Sequence, residues 1–110
     1  MSNIKQQLKD IIEKMAKESI TCGWADQETG TFYDLDNEFK KIIKEHPEYA
    51  ELDRKINPIM QYGYNIGLTQ ESPFHNAPGC GRFGDDKEGE QYKIHQAEEM
   101  DKVFDYIDSI

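Results

Sequence analysis

The side chains best equipped for chemistry in this chain are two cysteines, Cys22 and Cys80, and three histidines, His46, His75 and His95. Thiolate and imidazole are the usual ligands of zinc, which takes four donors in a tetrahedron, commonly delivered as CxxC or HxxxH pairs. No such pair occurs here, and the five residues come from separate segments, so no zinc site is expected. Cys80 lies between Gly79 and Gly81 and is sterically open, with His75 five residues before it. That is the minimum arrangement for a thiol whose pKa an imidazole lowers. A third group to orient the imidazole is missing, so Cys80 reads as an unreactive loop cysteine and no catalytic residue is assigned.

Two other patterns imitate binding motifs. Gly79-Cys80-Gly81-Arg82-Phe83-Gly84 has the GxGxxG spacing that lets backbone amides approach a pyrophosphate at a helix start. That role needs a buried strand before the glycines, and here Asp85 and Asp86 follow them and would repel a phosphate. Asp34, Asp36, Glu38 and Glu45 fall at the first, third, fifth and twelfth positions of a calcium loop. Phe39 stands where the sharp turn needs glycine, and Phe39-Lys40-Lys41-Ile42-Ile43 reads as helix. No metal or cofactor is therefore expected.

Charge is the stronger signal. The 22 acidic residues against 13 basic ones give a net charge of -9, a field that repels nucleic acid and anionic lipid and attracts basic surfaces. The acids concentrate in two blocks, 26–53 and 85–110, each with nine acids against three lysines. In the second block Glu98, Asp101, Asp105 and Asp108 align as a ridge on the terminal helix. Like charges one turn apart cost a few tenths of a kcal/mol per pair, and acids near a helix C-terminus oppose its macrodipole. The ridge does not serve the fold. It reads either as a solvated face that aids solubility or as a contact surface for a protein partner with a basic surface. The second reading makes the chain a small acidic interaction module, an inhibitor or nucleic-acid mimic that does not itself bind nucleic acid. The alternative is a pocket for a small anionic ligand in the loop 72–86, walled by Phe74, His75, Cys80 and Phe83 with Arg82 as the charged contact and Tyr62 and Tyr64 nearby.

The elements that must position these residues follow from periodicity. The length of 110 residues fits one domain, 1–110, with a thin core, since 36% of residues are hydrophobic while aromatics reach 11%. Such a core leaves room for a homo-oligomer. No apolar run suits a signal peptide or a membrane span, which points to a cytoplasmic protein with its cysteines kept as thiols.

With Ser2 as cap, Ile4, Leu8, Ile11, Ile12 and Met15 predict an amphipathic helix ending near Ile20. The β-prone stretch that follows reads as a short β-hairpin over 19–33, flanked by Trp24, Phe32 and Tyr33. Asp34 and Asp36 are candidate caps for a helix carrying Phe39, Ile42 and Ile43 that stops at His46, before Pro47. Pro47 opens a segment burying Tyr49, Leu52 and Ile56, and Asn57-Pro58 starts another, with Gly63 permitting close helix approach and Gly67 as its stop. A long irregular loop spans about 69–90. The last helix is expected to bury Ile94, Ala97, Met100, Val103, Phe104 and Ile107, with His95 at the edge of that face. The sum is a mainly α protein, a small bundle of four to five helices with one short hairpin, that binds rather than catalyses.

Overall fold

The computed structural model describes residues 3–25, 27–69 and 86–110. The chain forms α1 (Ile4–Ala25), α2 (Gly30–Glu45), a 3-10 turn (Pro47–Tyr49), the single-turn α3 (Leu52–Lys55), α4 (Asn57–Thr69) and α5 (Asp86–Ser109). It is a small helical bundle, and among the described residues there is no strand.

The first helix opens on Asn3, whose side-chain oxygen accepts the N–H groups of Lys5 (3.0 Å) and Gln6 (3.4 Å). These are the second and third amides of the helix, the ones a cap normally satisfies. Its buried face begins with the expected Leu8, Ile11, Ile12 and Met15 and continues through Ala16, Ser19, Cys22 and Gly23. The expected hairpin over 19–33 is therefore overturned, because its first arm is the last turns of α1. Ile20, Thr21 and Trp24 favour strands as isolated residues, but such preferences are weak against packing, and the small residues beside them fit another helix.

That helix is α4. Ser19 and Gly23 on α1 face Gly63 and Gly67 on α4, four residues apart on each side. A Cβ on Gly67 would land on the Ile20 carbonyl oxygen and 2.7 Å from the Gly23 Cα; one on Gly23 would strike the Tyr64 carbonyl oxygen. A Cβ on Gly63 would overlap the Ser19 hydroxyl. Backbone lies on backbone, so Gly67 serves the contact and is not the expected stop; α4 runs on to Thr69. The pairing of 19 with 63 and 23 with 67 makes α1 and α4 parallel.

The turn between α1 and α2 hangs on one hydroxyl. Thr29 accepts the Phe32 N–H (3.1 Å) and donates to Glu18 Oε1 (2.6 Å), so it caps α2 and ties it to α1 at once. The expected caps Asp34 and Asp36 lie inside α2, which starts at Gly30. At the other end, the His46 N–H bonds the Ile42 carbonyl (3.0 Å) and Pro47 follows, as its fixed φ requires. Tyr49, Leu52 and Ile56 are buried beneath the short turns, and Asn57 and Pro58 open α4.

α5 returns antiparallel to α4, with the Gln96 amide donating to the Ile59 carbonyl (3.0 Å) and Gly89 lying against Thr69. Residues 86–90, expected in the loop, are helical. The absence of a side chain at Gly89 makes room for Thr69. Val103 and Ile107 are buried and Met100 and Phe104 pack at their edge, as expected. Ile94 and Ala97 are exposed instead. Ile94 is nine residues from Val103, which at 100° per residue is about half a turn away.

Two substitutions test the crossing and one tests the hinge. Gly67→Ala forces two backbones apart and should cost about 2–3 kcal/mol in urea unfolding. Gly30→Ala, with nothing within 4 Å of its Cβ, should be neutral or add about 0.5 kcal/mol; equal losses at both positions would refute the contact. Thr29→Val keeps the shape and loses both hydrogen bonds, so it should cost about 1–2 kcal/mol by the same measurement.

Candidate functional site

The acidic ridge is fully presented to solvent. Glu98, Asp101, Asp105 and Asp108 are all exposed, and on the helical wheel their arc lies nearly opposite Val103 and Ile107 rather than beside them. Asp108 is held at its end, since Lys9 Nζ lies 2.8 Å from its carboxylate and 5.8 Å from the Phe104 ring centre. Lys5 Nζ donates to the Asp108 carbonyl (3.2 Å). Lys102 and Lys93 of α5 turn to other acids, Lys102 to Glu99 (3.3 Å) and Lys93 to Glu90 (3.2 Å). Among the described residues, Glu98, Asp101 and Asp105 take part in no ion pair. Ile94, 50% exposed, stands one turn before Glu98 on the same line.

A second feature is a groove. α2 and α4 both pack on α1 but make little contact with each other, and a cavity of about 520 Å³ opens between them. Its floor is apolar, formed by Met15, Phe32, Ile56 and Met60, with Cys22 buried below. Among the described residues its rim carries Glu28, Asp36 and Asp53 with one cation, Lys40, and one edge is a row of amides, Asn57, Gln61 and Asn65. Lys40 Nζ lies 3.0 Å from Asp36. The hydrogen bond and charge of Asp36 raise the Lys40 pKa above its ordinary value, partly offset by desolvation, with smaller contributions from the charges of Asp53 and Glu28.

The remaining candidates separate. Phe74, His75, Cys80, Arg82 and Phe83 lie outside the described residues, as do the cap Ser2 and the GxGxxG stretch. Tyr64 lines the groove, whereas Tyr62 faces α5, with ring centres 6.2 Å from Tyr92 and 5.4 Å from His95. His46 sits 3.6 Å from Glu48 at the end of α2. Among the described residues no three His, Cys, Asp or Glu side chains gather as a metal site. The calcium-loop pattern is carried by a helix, which turns Asp34 and Asp36 about 200° apart, so they do not converge.

Thr29, the groove acids Glu28 and Asp53 and the amide row were not singled out by sequence reasoning, and Asp36 was named there only as a calcium-loop position and a cap. The row was open to it: Asn57, Gln61 and Asn65 recur every four residues, while Ile59 and Ile66 mark another face. Comparison with protein-family models, curated proteins and solved structures finds no match, so function is read from these residues alone. No helix among the described residues is long and apolar enough to cross a membrane.

If the ridge works against the fold, relieving it should stabilise the chain. The double variant Asp101→Asn, Asp105→Asn should raise urea stability by about 0.5 kcal/mol. Asp108→Asn, which loses Lys9, should bring no such gain. A double variant less stable than the parent would show that the ridge has a structural role.

Proposed function

We propose that this chain is a small acidic interaction module that presents the α5 ridge to a basic surface of a protein partner, in the manner of an inhibitor occupying a phosphate-binding groove. The observation that carries this reading is that Glu98, Asp101 and Asp105 are exposed on α5 and, among the described residues, take part in no ion pair. Three carboxylates on one helix line resemble the charge spacing a phosphate-binding surface receives. Their field also accelerates encounter with a cationic partner. Ile94 beside them offers an apolar contact that survives where salt screens the charges.

The ridge repels a second copy of itself, so a homo-oligomer would have to use another face. A cytoplasmic setting belongs to this proposal, in keeping with Cys22 as a buried free thiol. The pocket residues of the alternative, an anionic-ligand site in the loop 72–86, lie outside the described residues.

The test is capture of partners from the native host on immobilised protein. A partner should be retained at low salt, lost as ionic strength rises to about 0.5 M, and lost to the Asp101→Lys, Asp105→Lys variant. Reversal of Asp34, exposed on α2, should leave capture intact. The captured protein should also lose nucleic-acid binding when the chain is added. Capture that ignores salt, or survives reversal of the ridge, removes this reading.

A further inference from the structure

The groove between α2 and α4 is unrelated to the α5 ridge and has its own chemistry. Helices that share a neighbour without packing on each other leave a trough, and here Met15, Phe32, Ile56 and Met60 line its floor, Met60 half-buried and the other three buried. A volume of about 520 Å³ falls in the range of sites for small organic molecules. Methionine floors adapt to varied apolar shapes, because the thioether chain is unbranched and polarizable.

Charge selects among those molecules. Among the described residues, Glu28, Asp36 and Asp53 line the opening against one ammonium, that of Lys40. The three carboxylates come from separate segments, the α1–α2 connection, α2 and α3, and line one opening. Lys40 is compensated mainly by Asp36 at 3.0 Å, which leaves Glu28 and Asp53 to act on a second cation. An anion would meet net repulsion at the rim. A neutral apolar molecule would gain only from the floor. Asn57, Gln61 and Asn65 add carbonyl acceptors along the α4 edge for the N–H groups of an ammonium.

We propose that the groove between α1, α2 and α4 is a binding site for a small organic cation, an amine joined to an apolar or aromatic body, with the body on Met15, Phe32, Ile56 and Met60 and the ammonium between Asp53 and Glu28. The site discriminates by the sign of charge at the rim and by apolar bulk at the floor, and it needs both.

The experiment uses three probes of one shape: 1-naphthylmethylammonium, 1-naphthylmethanol and 1-naphthoate. Each is titrated into the full chain while the methyl resonances of Met15, Met60 and Ile56 are followed by NMR. The ammonium should shift these methyls saturably at millimolar concentration or below, bind about tenfold more tightly than the alcohol, and weaken as salt is raised. The naphthoate should leave the methyls unmoved. Asp53→Asn with Glu28→Gln should reduce affinity for the ammonium about tenfold and leave the alcohol unaffected. The salt series on the unmodified chain carries the same information if that variant folds poorly. Absence of methyl shifts with the ammonium, equal affinity for the alcohol, or binding insensitive both to salt and to the two substitutions overturns the proposal. Charge reversal at Asp101 and Asp105 should leave ammonium binding unchanged, which separates this site from the α5 surface.

Discussion

The backbone contact between Gly23 on α1 and Gly67 on α4 is the constraint on which the rest of the arrangement depends. Two helices brought so close commit a long line of each to the other, and α1 thereby becomes the helix against which α2 must also pack. With α4 seated by Gly63 and Gly67, its Ile59 and Ile66 enter the core and its amide row turns outward. α5 then covers the far side of α4 through Gln96 and the Thr69–Gly89 approach. The trough between α2 and α4 follows from the same geometry, since both helices are spent on α1.

Much of this was legible in the sequence, and the failures share a cause. Periodicity found α1 from Ile4 to Met15, the stop at His46 and Pro47, the buried Tyr49, Leu52 and Ile56, and the restart at Asn57-Pro58. These are signals that large apolar residues and prolines carry by themselves. Where a helix face is built from small residues, as at Ser19, Cys22 and Gly23, the hydrophobic period fades although the burial does not. The neighbouring Thr21 and Trp24 then speak for a strand that never forms. A glycine is ambiguous in the same way: Gly63 was readable as a place of approach, while Gly67 looked like a stop because its partner is distant in sequence. Ile94 is a different kind of error. Its nine-residue separation from Val103 was available from the wheel, and grouping it with the core put an exposed residue inside.

The acidic surface divides into parts with different constraints. Asp108 of α5 is tied to Lys9 of α1, and Asp36 pairs with Lys40 one turn along α2, so those carboxylates are engaged within the fold. Glu98, Asp101 and Asp105 have no such employment, and Glu28 and Asp53 stand around a cavity with an apolar floor. Composition gave the total charge of -9, but only the fold distinguishes acids that hold the structure from acids left for something outside it.

Because α2 reaches the bundle through α1 and the turns after His46, with little hold on α4, the molecule is not equally cooperative throughout. α1, α4 and α5 form a unit that can persist while α2 peels away, taking the Thr29 tie with it. Such partial opening would expose Met15, Cys22 and Phe39 together and offer proteases a first cut near the α1–α2 turn. The helix that closes one side of the groove is thus also the one the chain can most easily release.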